Sequence, residues 1–168
     1  MGDIDLMVED DIDDIDNKFN KYLMFKLGNE EYGIDIKRIT AIEELPQITT
    51  IPGMPDFVKG VINLRGKVIS AVDLRLRFGL EEREYDDRTC IVIVSVDDTT
   101  IGLIVDIVSE VHEIEKKDIG PPPSFKNASE KEQYIAGLAK KGEGVKIILD
   151  VEKIISNEEK ILLEEIDV

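Results

Sequence analysis

The chain has 168 residues, a formal net charge of −16, 42 % hydrophobic and 5 % aromatic residues, one cysteine and one histidine. This length suits one domain, or two very small ones, around a real core. The lone Cys90 excludes an intrachain disulfide, and the acidic field disfavours nucleic acid and anionic lipid as partners.

Residues 1–18 hold eight acids against Lys18 and read as a disordered acidic tail. The N-terminus is acidic where a secretion signal is basic and then apolar, and no run approaches a membrane span. A cytoplasmic protein with no direct membrane insertion is therefore expected. Tyr22 to Leu27 reads as a strand, residues 28–31 as a turn and Tyr32 to Ile36 as the return strand. Ile36, Ile39 and Ile42 recur at three-residue spacing, which suits a short helical turn before another strand. Pro46, Pro52 and Pro55 make residues 45–57 an irregular connection.

Val58 to Leu64 and Val68 to Val72 are strands around a tight turn, Leu64-Arg65-Gly66-Lys67. Asp73 sits where a helix cap is expected, and Glu81 to Arg88 is a charged linker. Cys90 to Val96 and Ile101 to Val105 form a second hairpin, after which Val108, Val111 and Ile114 recur at three-residue spacing. Pro121-Pro122-Pro123 opens a polar loop through Gln133. Its Asn127-Ala128-Ser129 sequon is discounted without a secretion signal. Tyr134 to Ala139 and Val145 to Leu149 are strands. Asp150 opens a helix, and Ser156 with Glu159 forms a capping box for another.

The two halves match one another. A shift of 69 positions places Tyr22–Leu27 on Ile91–Val96, Gly33 on Gly102, and Ile39, Ile42 and Leu45 on Val108, Val111 and Ile114. A shift of 77 places Gly60, Val68 and Asp73 on Gly137, Val145 and Asp150. The extra eight residues fall in the loop after the prolines. The order of turns, glycines and apolar positions favours a duplication of one small barrel. The repeat also assigns residues 74–78, whose alternating Leu and Arg suit a strand, to a short capped helix like that after Asp150.

Catalytic constellations are scarce. His112 and Cys90 have no motif partner, no Cys/His cluster has zinc spacing, and the glycines form no phosphate loop. No enzyme activity, cofactor or metal is expected. Arg65, Lys67, Arg75 and Arg77 make one basic cluster, which suits an acidic protein partner or an internal carboxylate better than a polyanion.

The segments Gly60-Val61-Ile62-Asn63-Leu64-Arg65-Gly66 and Val72-Asp73-Leu74-Arg75 resemble the signature of the CheW-like domain of bacterial chemotaxis coupling proteins. Glu31-Tyr32-Gly33-Ile34-Asp35-Ile36, Gly102-Leu103-Ile104-Val105-Asp106 and the later Pro-Pro, Tyr-Ile-x-Gly and Leu-Asp segments resemble it too. The resemblance implies a mainly β fold of two SH3-like five-stranded barrels in pseudo-symmetric tandem. The expected boundaries are residues 19–163 for the domain, about 19–86 and 87–150 for the barrels, and about 151–166 for a C-terminal helix.

It implies a non-catalytic adaptor joining chemoreceptors to the histidine kinase CheA. A hydrophobic barrel end would pack on the kinase's regulatory domain, and the groove between barrels would take the receptor's helical tip. The protein-binding positions carried over are Arg65, Asn63, Ile39, Ala41, Glu43, Val111 and Gly102. Several members carry Glu where this chain has Ala41, so Glu43 or Glu44 is expected to substitute. Arg65 has two readings here: it fixes the interface between the barrels or the receptor groove, or it only ties the turn to a nearby carboxylate. Two alternatives stand beside the adaptor. One is a nucleic-acid-binding barrel, and the other a CheW-like module of a larger kinase or coupling protein, disfavoured by an ending without a linker.

Overall fold

The computed structural model describes residues 19–122, 134–142 and 144–164. The acidic tail, the sequon and most of the loop after the prolines lie outside the described residues. The strands are β1 (Phe19–Leu27), β2 (Glu30–Asp35), β3 (Ile39–Glu44), β4 (Val58–Leu64), β5 (Lys67–Asp73) and β6 (Cys90–Val96). They continue with β7 (Thr99–Val105), β8 (Ile107–Glu115), β9 (Ile119–Gly120), β10 (Ile135–Lys141) and β11 (Gly144–Leu149). The helices are α1 (Leu74–Arg77), α2 (Val151–Ile154) and α3 (Asn157–Glu164). No described helix is long and apolar enough to cross a membrane.

These strands form two SH3-like barrels. One is a six-stranded sheet in the order β8-β1-β2-β11-β10-β9, the other a five-stranded sheet in the order β3-β6-β7-β5-β4. The expected division near residue 86 is not where they part. Hairpin β1–β2 belongs with β8–β11, and hairpin β6–β7 belongs with β3–β5, so each half lends its first hairpin to the other. The reason lies in the connections. The 3₁₀ turn Ile36–Arg38 and the bend at Asp106 carry the chain between sheets, and each lent hairpin then makes a parallel pair with a distant strand. Parallel strands cannot be joined by a tight turn, so such a pair needs partners far apart in the chain.

The duplication is visible in the pairing registers. Ala71 pairs with Gly102 across β5–β7, and their repeat counterparts Ile148 and Gly33 pair across β11–β2. Bulges fall between Val58 and Gly60 and between Ile135 and Gly137, again 77 positions apart. Both bulge glycines serve close backbone approach. A Cβ on Gly60 would lie 2.0 Å from the Thr49 carbonyl oxygen, and one on Gly137 would lie 2.6 Å from that of Gly120. No side chain fits at those distances.

Strand alternation divides the apolar residues between three clusters. Tyr22 and Met24 of β1 point into the six-stranded barrel with Ile114, Ala139 and Ile148. Their counterparts Ile91 and Ile93 point into the other barrel with Ile62, Ile69 and Ile104. The opposite faces, including Leu23, Phe25, Val92 and Val94, meet in a larger central core. Through it runs an aromatic chain: Phe25–Tyr32, Tyr32–Phe78 and Phe78–Tyr134, with ring centroids 5.8, 5.6 and 4.5 Å apart.

Two local expectations change. Helical geometry ends at Arg38, and Ile39 and Ile42 lie in β3, while Val108, Val111 and Ile114 all lie in strand β8. The range 151–166, bounded as one C-terminal helix, holds the two helices that the Asp150 cap and the Ser156 capping box predict. Its break is set by Ser156, whose Oγ accepts from Glu159 N while its own N–H donates to Glu159 Oε1. This reciprocal capping box starts a new helix and ends the old one.

Candidate functional site

The β4–β5 hairpin closes with Leu64 paired to Lys67, leaving a two-residue loop of Arg65 and Gly66. Their φ angles are +54° and +87°, so both residues are left-handed, as the tightest hairpin turns require. Asn63 Oδ1 accepts the Gly66 N–H at 2.9 Å and holds the loop shut. Asn63 thus has a structural duty. Asn63→Ala removes one exposed hydrogen bond and is expected to cost about 1 kcal/mol of stability, read by urea unfolding.

Arg65 is different. Asn, Asp or Gly fits a left-handed position more cheaply than Arg. At the repeat-equivalent position the second copy has Gly142, with φ +73°. The Arg65 side chain is 80 % exposed, and its Nη2 donates to Glu43 Oε1 at 2.9 Å. Glu43 lies on β3 and Arg65 follows β4, the two outer strands of the five-stranded sheet, so the pair spans the barrel's seam. An exposed pair of this kind contributes about 0–1 kcal/mol.

The other β3 positions sort by burial. Ile39 packs against the central core and Ala41 against the five-stranded barrel's core, a switch made by the bulge between them. Ala41 offers no charge, and Glu43 supplies the acid beside Arg65. The exposed apolar residue of β3 is Ile42, at 45 %, and its repeat counterpart Val111 on β8 is also 45 % exposed. The repeat alignment pairs these two positions, and that signal was sufficient to put Ile42 ahead of Ile39. Gly102 is buried in β7. A Cβ there would sit 2.4 Å from Ile91 Cδ1, so Gly102 serves packing and is not accessible to a partner.

The basic cluster divides as well. Arg75 grips Asp106 with Nε to Oδ1 at 2.7 Å and Nη2 to Oδ2 at 2.6 Å, both side chains at most 15 % exposed. Asp106 also accepts the Gly28 N–H at 2.8 Å and lies 3.3 Å from Arg83. Burial alone would raise the Asp106 carboxyl, but the Arg75 guanidinium and Gly28 N–H outweigh it and hold it below the usual range. Arg77 donates to the Ile154 carbonyl at 2.7 Å, pairs with Glu159 and lies 4.5 Å over the Phe57 ring. Lys67 is exposed, 3.4 Å from Thr100 Oγ1. Two of the four cations are therefore internal ties, and Arg65 is the strongly exposed arginine among them. The hub at Asp106 was missed from sequence, because nothing local shows that Arg75 reaches it 31 residues away. His112 Nε2 lies 2.6 Å from Glu110 on the same strand.

The fold is thus a pair of hairpin-exchanged SH3-like barrels, with Arg65 exposed on a left-handed hairpin turn. The family model of the CheW-like domain matches residues 21–159. The chemotaxis protein CheW of Klebsiella aerogenes is 39 % identical over 146 residues, covering 87 % of each chain. That of Treponema pallidum is 34 % identical, covering 80 % of this chain and 81 % of its own. Among solved structures, the scaffolding protein TtCheW of Thermoanaerobacter tengcongensis superposes with a TM-score of 0.78 at 36 % identity, covering 86 % of this chain and 98 % of that one. The chain belongs to the CheW family of chemotaxis coupling proteins.

Proposed function

We propose that this chain is a cytoplasmic, non-catalytic and cofactor-free adaptor. It joins the regulatory domain of a CheA-type histidine kinase to the cytoplasmic tip of chemoreceptors and is recruited with them to membrane arrays. The observation that carries the site assignment is Arg65. It occupies a left-handed position that the second copy gives to Gly142, and its side chain is 80 % exposed. A residue held at a conformational cost and contributing little to stability is best explained by what it contacts outside the chain.

Arg65 and Glu43 form the polar part of the receptor contact. Ile42, with Val111 at the equivalent place on the other barrel, supplies the apolar part. Ile39 and Ala41 set the position of β3 from beneath, and Asn63 fixes the turn. The nucleic-acid alternative lacks support, since Arg75 and Arg77 are turned to internal acceptors and are not free to line a basic groove. Pull-down with the kinase regulatory domain tests the reading. Retention at concentrations of about 1–10 µM is expected, and no binding at tens of micromolar counts against it.

A further inference from the structure

Away from the turn, an open cavity of about 230 Å³ lies at one end of the six-stranded barrel. Tyr22, Asp35, Arg38, Ala136, Ile148 and Asp150 are among its walls. It is smaller than the roughly 300–1,000 Å³ of small-molecule sites and suits a single side chain.

The internal repeat shows what such a place can hold. Shifted back by 77 positions, Ala136 falls on Lys59 and Asp150 on Asp73. On that half the connection after α1 lies across both: Glu82 pairs with Lys59, and the Tyr85 hydroxyl donates to Asp73 Oδ2 at 2.7 Å. Asp73 is left only 2 % exposed. Burial and the Asp73 carboxylate both push the Tyr85 hydroxyl up, so it stays protonated and remains a donor.

Among the described residues of the second half, nothing covers its own counterpart in this way. The same shift carries Tyr85 to Leu162, which belongs to α3. That helix is tied elsewhere, by Glu159 to Arg77 and by Lys160 to Asp97, with Leu163 in the central core. Asp150 uses Oδ1 to cap Glu152 N, and among the described residues no donor reaches its Oδ2. Arg38 stands at the rim, about half exposed, 2.9 Å from Glu152.

We propose that this cavity is a docking site for an extended segment of a partner protein that inserts a tyrosine, its hydroxyl donating to Asp150 as Tyr85 donates to Asp73. An acidic residue three positions before that tyrosine, as Glu82 precedes Tyr85, would meet Arg38 at the rim. The site is separate from the Arg65 turn and does not depend on that assignment.

The test uses the full chain, labelled with ¹⁵N, and a synthetic peptide of its own sequence Glu82-Arg83-Glu84-Tyr85-Asp86 as the probe. Saturable amide shifts at Ala136 and residues 148–151 are expected, with affinity at least five-fold weaker for the peptide carrying Phe in place of Tyr. Asp150→Asn keeps a good helix cap while removing the carboxylate charge, and should weaken binding by a similar factor. Arg38→Ala leaves that cap untouched and should weaken the acid-bearing peptide alone, not one with Gln in place of Glu82. No shifts at these amides up to about 5 mM peptide would overturn the proposal. So would equal binding of the Tyr and Phe peptides, or shifts confined to Lys59 and Leu74, where the peptide would merely displace Tyr85.

Discussion

Arg65→Gly is expected to separate binding from folding. Glycine already occupies the equivalent turn of the second copy at φ +73°, so the β4–β5 loop should close as before. The substitution relieves the strain of a left-handed arginine and adds unfolded-state freedom, two effects of about 0.5–1 kcal/mol with opposite sign. The lost Glu43 pair is exposed on the arginine side and worth about 0–1 kcal/mol. Unfolding midpoints should therefore move little. Affinity for the partner proposed to meet Arg65 should fall at least tenfold, about 1.4 kcal/mol, because the neighbouring Lys67 cannot reproduce the planar fork of an arginine anchor. Titrations of wild type and variant with the kinase regulatory domain and with a receptor-tip fragment measure this. Unchanged affinity for both would reduce Arg65 to a tie between turn and β3. Arg65→Lys keeps the charge without the planar fork and should fall between the two.

Asp106→Ala should have the opposite profile, with stability lost first. Asp106 stands at the bend where the chain leaves β7 in one sheet for β8 in the other. Its carboxylate binds Arg75 after β5 and the Gly28 N–H in the lent hairpin β1–β2, so it joins both barrels at the crossing. Removing it leaves a guanidinium only 15 % exposed without its bidentate acceptor, a loss expected to cost about 3–5 kcal/mol. The pH dependence follows from the lowered carboxyl. The Asp106 contribution is complete above its unfolded-state value, near 4, and is lost as pH falls through the lower folded-state value. Urea unfolding of wild type and Asp106→Ala should differ most at neutral pH and converge in acid. A difference that persisted unchanged in strong acid would show that the carboxylate charge is not what stabilises the crossing.

Much of the local structure is legible in the residues, because it depends on contacts within a few positions. Cys90–Val96 alternates between two buried faces, Asp73 caps α1 with Oδ1 on Leu76 N, and Ser156 with Glu159 forms its box. The duplication is legible too, since Gly60 and Gly137 meet equivalent carbonyls. Which hairpin joins which sheet is not. The two hairpins share one alternation pattern, so either fits either barrel, and only the short crossings at 36–38 and Asp106 decide. Alternation along β3 turns Ile39 partly into the central core and leaves Ile42 on the opposite, exposed face. Among the cations, composition and spacing leave one cluster, from which only the resemblance and the unmatched turn single out Arg65. Arg65 and Arg75 differ because Asp106 is brought to one and open solvent to the other.

The most direct test of the adaptor role is sedimentation velocity on this chain mixed with a CheA regulatory domain and a receptor-tip fragment at about 10 µM each. The expected result is a ternary species that disappears when this chain is left out and weakens with Arg65→Gly. Three components sedimenting separately, with this chain binding neither partner, would contradict the role.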